Sequence, residues 1–253
     1  MSLLPATRLV FTRALRLSLR NPVWVILGLI QPLLYLALFG PLLERVTTAR
    51  GFPSADAWRV FVPGLLVQLG IFGAAFVGFG LLAEMRAGVV ERMRVTPTPR
   101  LALLLGRVVR DILVLLVQAT LLVCAALLFG LRVPLGDLVL GLLVVAALGA
   151  AFASASYAAA LTLRAEDALA SVLNGLAVPL LLLSGILLPM TLAPSWLRTV
   201  SNINPLKHVV DGVRALFLGH PGSPSVLWAL VAVVALLAAG LWLGTRTFQR
   251  ESG

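Results

Sequence analysis

Long apolar runs recur along the whole chain, and they constrain its fold more than any other feature. We predict spans at about residues 23–42, 59–83, 112–131, 138–163, 168–188 and 226–245. A helix of about 20 apolar residues crosses the hydrocarbon core of a bilayer. Because 60% of the residues are hydrophobic and only 12% are charged, little is left to form a soluble domain. The sequence therefore predicts an all-α membrane protein, with six transmembrane helices in a single domain over residues 1–253.

The first twenty residues are amphipathic. Arg13, Arg16 and Arg20 fall on one helical face from residue 5 to residue 20, and Phe11 and Leu15 fall opposite. This pattern is typical of a helix that lies in the membrane interface with its arginines toward anionic headgroups. An arginine-rich flank without fixed structure is the alternative interpretation.

Residues 84–100, EMRAGVVERMRVTPTPR, form the most densely charged interval between two apolar runs. Its charged residues are Glu84, Arg86, Glu91, Arg92, Arg94 and Arg100. The segment is predicted to be either a docking surface for another protein or a solvated loop on the positive side of the membrane. Arg107, Arg110 and Asp111 follow so closely that residues 101–111 are predicted to be a wet extension of the third span.

The basic residues predict the orientation of the chain. With six spans both termini share one side, and 13 of the 20 basic residues fall on that side together with residues 84–100. By the positive-inside rule, the termini and this segment are expected in the cytoplasm. The long segment between spans five and six is then external.

That external segment, residues 190–223, carries its own helix signals. Asn204 is a predicted N-cap, Pro205 suits the first helical position, and Gly219 follows the predicted end. Apolar residues from Leu206 to Phe217 share one face, and Lys207, Asp211 and Arg214 share the other, where they can pair. The prediction is an amphipathic helix tucked against the membrane, preceded by a shorter helix at residues 194–200.

Span four carries small residues at every fourth position, in two series. Such a face lets another helix approach closely. The series are Ala146, Ala150, Ser154, Ala158 and Ala147, Ala151, Ala155, Ala159.

Signatures of catalysis are missing from the sequence. No GxxxxGKS or GxxxxGKT phosphate loop occurs, and the single lysine, Lys207, lies in the external segment. His208 and His220 lack the partners of a metal site, so no metal is expected. None of the 10 acids lies deep in a predicted span, which disfavours a proton-coupled transporter. Without a soluble domain, nucleic-acid binding is not expected either.

Neutral polar residues remain at membrane depth. They either line a path for an amphipathic substrate or form interhelical hydrogen bonds that hold the bundle together. The candidates for the path are Tyr35, Gln68, Gln118, Asn174 and Ser184.

Three features together resemble a known family. They are an amphipathic N-terminal helix running into RNP, the charged sequence ERMRVTPTPR, and a late segment that contains SGILLPM and NPLKHVVDGVRALFLG. In this order, with six spans, the chain resembles the permease subunit of a type-2 ABC exporter. The nearest branch is that of drug-resistance and Nod-factor export, with polysaccharide and lipid exporters as relatives. The resemblance covers essentially the whole chain.

The resemblance implies a subunit without a catalytic site, in a bacterial inner (cytoplasmic) membrane. A second copy or a paralogue would pair with it, and two ATP-binding subunits would bind ATP and Mg²⁺. The substrate would be an amphipathic drug, lipid or lipid-linked glycan that moves outward. The coupling helix would contain Glu84, Arg86, Glu91, Arg92 and Arg94. Re-entrant external helices would cap the path as a gate, with Asn204, Pro205, His208, Asp211, Arg214 and Gly219.

Two other classes remain open from the residues alone. A membrane-embedded enzyme of lipid or glycan metabolism would need Asp, His or Ser clustered at one depth. A non-transporting membrane anchor would need no polar path.

Overall fold

The computed structural model describes residues 3–20, 23–45, 56–88 and 99–250, and every regular element within these ranges is a helix. The α-helices in chain order are α1 (Leu3–Arg20), α2 (Val23–Glu44), α3 (Ala57–Ala75), α4 (Val77–Arg86), α5 (Arg100–Leu128), α6 (Leu135–Leu163), α7 (Glu166–Ser184), α8 (Ser195–Ser201), α9 (Pro205–Phe217) and α10 (Pro224–Arg250). One 3₁₀ turn, Met190–Leu192, lies between α7 and α8.

Six segments of the described chain are long and apolar enough to cross a membrane, so the predicted six-span, all-α class is confirmed. They are Val25–Leu43, Ala57–Arg86, Leu101–Leu128, Leu135–Leu163, Glu166–Ser184 and Pro224–Thr247. The segments differ in how much protein surrounds them. In the most apolar 18-residue stretch of Ala57–Arg86, 67% of the residues are buried by other parts of the protein, whereas in that of Glu166–Ser184 only 11% are buried. The second span is therefore central and α7 is peripheral.

Helix α6 lies at the centre of the bundle and packs against α3, α4, α5, α7, α9 and α10. Its small residues let α10 approach closely, as predicted. A Cβ atom added to Gly240 on α10 would lie 2.4 Å from the carbonyl oxygen of Ala151. Because no side chain fits at this distance, the two backbones touch directly.

The second span is divided at Phe76, where α3 ends and α4 begins. Ser156 of α6 reaches into the break. Its hydroxyl accepts a hydrogen bond from the Gly78 amide at 3.0 Å and donates to the carbonyl of Ala75. A side chain of a neighbouring helix thus supplies bonds that an unbroken helix would make for itself.

The third span is one continuous helix, and the predicted wet extension is wrong for two of its charged residues. Arg107 and Asp111 of α5 are only 7% and 8% exposed. Both are paired with other side chains of the bundle. The prediction failed because closely spaced charges were taken as a sign of solvent, although a protein interior can also satisfy them.

Helix α1 packs along the first half of α5. A Cβ atom on Gly106 would lie 2.7 Å from the Cβ atom of Val10, so the helices touch closely here. Three arginines of α1 are exposed, namely Arg13, Arg16 and Arg20. The predicted N-terminal helix is confirmed, whereas its location in the membrane interface stays a prediction.

Candidate functional site

The charged residues on either side of residues 89–98 form a cluster at one end of the bundle, which we call the loop end. Arg107 Nη2 of α5 donates to Glu84 Oε2 of α4 at 2.6 Å. The Arg107 side chain is 8% exposed and that of Glu84 is 32% exposed. This ion pair ties the last turn of α4 to α5, and so fixes the spacing of the two helices that flank the segment.

A second ion pair at the loop end connects α4 to α7. Arg86 Nη1 lies 3.0 Å from Glu166 Oε1, with both side chains well exposed. Of the predicted coupling residues, Glu84 and Arg86 therefore occupy neighbouring positions with partners on two different spans. Glu91, Arg92 and Arg94 lie outside the described residues.

Sequence reasoning missed the most deeply buried part of this cluster. The Tyr157 hydroxyl of α6 donates to the carboxylate of Asp111 on α5, and Arg110 Nη1 lies 3.0 Å from the other carboxylate oxygen. The third span begins at Leu101 and not at the predicted residue 112, so Asp111 lies inside a span, where no acid was expected at depth. The available signal was the spacing of Arg107 and Asp111, which lie four residues apart in an apolar run. Such a spacing can indicate charges that are paired inside the protein as well as charges that are exposed to solvent.

Helix α9 lies at the opposite end of the bundle, which we call the α9 end. Its predicted start is confirmed, because the Asn204 side chain accepts a hydrogen bond from the Leu206 amide at 3.0 Å and Pro205 is the first helical residue. Gly219 follows the helix with a φ of +80°, as expected for a residue beyond the C-terminus. The shorter preceding helix is also confirmed, at Ser195–Ser201.

Arg214 corrects the predicted polar face of α9. Instead of lying opposite the apolar residues, it is buried with them and only 4% exposed. Burial lowers its pKa to about 10, so the guanidinium stays charged at neutral pH. The prediction failed because backbone carbonyls of α3 and of the segment after α7 supply acceptors that a helical wheel does not show.

The predicted ion pairs along α9 are present but loose. Asp211 lies 3.8 Å from Lys207 Nζ and 3.9 Å from Arg214 Nη1. Burial raises the pKa of Asp211, and the neighbouring cations Arg214 and Lys207 oppose this shift. His208 Nε2 lies 3.0 Å from the carbonyl oxygen of Asn202, at the exposed side of the helix.

The candidate path residues differ in their surroundings. Gln68 and Ser184 are buried within the bundle, and Gln118 is buried where its Nε2 donates to the Val25 carbonyl at 2.8 Å. Tyr35 is half-buried on α2, and Asn174 is exposed on α7. The hydrogen bond of Gln118 is of the kind expected for a residue that holds helices together.

Metal ligation finds no support in the described ranges, where no three His, Cys, Asp or Glu side chains come together in a group that could hold an ion.

Comparison with known proteins gives the family. The profile of the ABC-2 type transporter matches residues 5–218 of this chain. The chain belongs to the ABC-2 type transporter family. It is thus a permease, and membership implies a transporter in which an ATP-binding partner takes part.

The named relatives of this ABC-2 permease also carry the name of permease. The daunorubicin resistance ABC transporter permease protein DrrB1 of Streptomyces coeruleorubidus is 27% identical over 242 residues, which cover 95% of this chain and 84% of DrrB1. A transport permease named ycf38, of Cyanophora paradoxa, is 27% identical over 78% of this chain and 69% of its own length. The multidrug ABC transporter permease YbhR of Escherichia coli K12 is 25% identical over 72% of this chain and 51% of YbhR.

Proposed function

We propose that this permease is the membrane subunit of an ATP-driven exporter, powered by a separate ATP-binding subunit that docks at the loop end. Two such subunits would bind ATP and Mg²⁺ and would serve a pair of permease chains. The observation that carries the proposal is the family match over residues 5–218. The absence of a phosphate-loop motif from the sequence supports a motor on another chain.

The positive-inside rule supports the sidedness of the proposal. With six spans, both termini are expected on the side of residues 84–100, together with 13 of the 20 basic residues. We therefore assign the loop end to the cytoplasm and the α9 end to the outside of a bacterial inner membrane. This places the predicted coupling residues where an ATP-binding subunit can reach them, and it places α8 and α9 where they can cap a path.

The ion pairs at the loop end support a coupling role for residues 84–100. Glu84 holds Arg107 of α5, and Arg86 holds Glu166 of α7. A displacement of the segment would therefore reach the second, third and fifth spans through direct contacts. Packed helices transmit such displacements as rigid bodies.

The exposed face of α7 supports pairing with a second permease chain. Ser171, Asn174 and Gly175 are exposed there, although α7 is a membrane span. Polar side chains are unfavourable against lipid and usually face other protein, and small residues permit close helix contact. The path would then lie between two protomers.

The proposed substrate is an amphipathic drug, lipid or lipid-linked glycan that moves outward. The name of DrrB1, which concerns daunorubicin resistance, favours the drug within this class.

Reconstitution tests the proposed function directly. The purified chain should hydrolyse no ATP alone, and it should stimulate hydrolysis when a separate ATP-binding subunit is added in liposomes. The paired reversal Glu91→Arg and Arg92→Glu should lower this stimulation by about tenfold or more, because it inverts two charges at the predicted docking surface.

The matched control is Arg132→Glu, which changes an exposed charge at the α9 end and should leave stimulation within about twofold. Unchanged assembly and stimulation in the Glu91/Arg92 variant would remove the coupling role from this segment.

Cysteine cross-linking tests the dimer. In a Cys124→Ser background, Asn174→Cys should give a disulfide-linked dimer in membranes, because the two α7 helices would face each other. Val234→Cys, at a position 63% exposed on α10, is the control and should stay monomeric. Cross-linking through residue 234 without cross-linking through residue 174 would place the interface elsewhere.

A further inference from the structure

The side chain of Arg214 joins three elements that are remote in the sequence. Its Nε donates to the carbonyl of Val60 on α3 at 2.9 Å. Its Nη2 donates to the carbonyls of Gly185 and Ile186, at 2.6 and 3.1 Å. The planar guanidinium has donors pointing in fixed directions, so one side chain can hold acceptors on both elements at once.

Two of these acceptors lie at the point where α7 stops. Gly185 follows Ser184 with a φ of +72°, a backbone conformation that ends the helix. Carbonyl groups at a helix end lack partners within the helix. Arg214 of α9 supplies donors to the carbonyls of Gly185 and Ile186, two residues that we call the corner after α7.

The corner is also held by close packing against α3. A Cβ atom added to Gly64 would lie 2.1 Å from the carbonyl oxygen of Ile186, the same oxygen that accepts from Arg214. Only glycine leaves room for the carbonyl here. The Gly185–Ile186 corner is therefore clamped between α3 and the guanidinium of α9.

The rest of α7 is held far less firmly. Among its residues only Leu169 and Ser184 are buried. At the loop end its ion pair is Arg86–Glu166, whose side chains are 64% and 38% exposed. Exposed ion pairs contribute little stability, whereas a buried charge that loses its partners is costly. The two ends of α7 are thus fastened with unequal strength.

We propose that Arg214 is a positioning residue that fastens the α9 end of α7 to α3 and α9, so that α7 pivots about this end and moves most at the loop end. The fastening follows from this chain alone, whereas the pivot during the ATP cycle rests on the proposed function.

Amide hydrogen exchange of the full chain in lipid nanodiscs tests the fastening. Arg214→Gln should speed exchange at residues 186–188 about tenfold or more, because the corner loses its donors. Gly64→Ala should produce the same local change, because the new methyl group displaces the Ile186 carbonyl. Using both variants keeps the test decisive if one of them fails to fold.

Two matched controls separate this effect from general loosening. Arg198→Gln removes another arginine that binds backbone carbonyls, but those of Thr191 and Ala193 on its own exposed segment. Gly80→Ala adds a methyl group where nothing lies within 4 Å. Both controls should leave exchange at residues 186–188 unchanged. Equal exchange at residues 186–188 in wild type and in the folded Arg214 or Gly64 variants would overturn the fastening.

Spin-label distances test the pivot in the assembled transporter. Label pairs at Asp167/Leu243 and at Leu182/Trp228 report the loop end and the α9 end of α7 against α10, and excess unlabelled chain suppresses distances between protomers. Adding Mg²⁺ and ATP should change the first distance more than the second. A larger change at the α9 end would overturn the pivot. If the ATP-binding subunit gives no stimulated hydrolysis, the proposed function fails, and the exchange experiment still decides the fastening.

Discussion

Tyr157→Ala is expected to lower the free energy of unfolding by about 3–5 kcal/mol, because it removes a fully buried aromatic ring and leaves a cavity. The ring packs in the apolar cluster near the loop end, and its hydroxyl donates to Asp111. Tyr157→Phe keeps the ring and removes the donor, so it should cost about 1–3 kcal/mol. The difference between the two variants separates packing from the hydrogen bond.

Unfolding in mixed detergent micelles, followed by circular dichroism, measures both losses. Tyr35→Phe is the control, since Tyr35 is half-buried and its hydroxyl lies 3.4 Å from Gln31 Nε2. The free energy of unfolding of the Tyr35→Phe protein should fall by less than about 0.5 kcal/mol. A Tyr157→Phe protein as stable as wild type would mean that the buried Asp111 gains nothing from Tyr157.

Gly240→Leu is expected to cost about 1–3 kcal/mol or more, because a side chain has no room between α10 and α6. The added Cβ atom would lie 2.4 Å from the carbonyl oxygen of Ala151, and a backbone atom cannot rotate away. The helices must separate, which loosens the extensive contact between α10 and α6. Thermal unfolding of the permease in nanodiscs, under the same conditions as wild type, gives the size of the loss.

Gly136→Leu provides the comparison at equal chemistry. Gly136 lies near the start of α6, where an added Cβ atom meets nothing within 4 Å. The melting temperature of the Gly136→Leu protein should stay close to that of wild type. If the two leucine variants melt together, the contact between α10 and α6 does not limit stability.

Length and local signals made much of the fold predictable. Six apolar runs predict six spans because the bilayer thickness fixes how long a spanning helix must be. The ends of α9 were predictable because an N-cap such as Asn204 and a terminal glycine such as Gly219 act on the nearest turn. The close contact through α6 followed from the spacing of its alanines.

The buried charges were not predictable in the same way. Arg214 finds an acceptor 154 residues away and Tyr157 finds its acceptor 46 residues away. A periodic pattern describes one helix and contains no information about what another helix presents to it. The same limit applies to the division of the second span, where Ser156 of α6 bonds the backbone on both sides of the break.

If the loop end is displaced as proposed, the division at Phe76 would affect how the displacement spreads. Within an unbroken helix, bending strains the backbone hydrogen bonds along its length. Here Ser156 already holds the amide of Gly78 and the carbonyl of Ala75. Helix α4, with 10 residues, is therefore a short segment whose start is bonded to α6. In the proposed coupling role, a sideways force at Glu84 would tilt α4 about its contact with Ser156, whereas α3 is almost wholly buried and has less room to move.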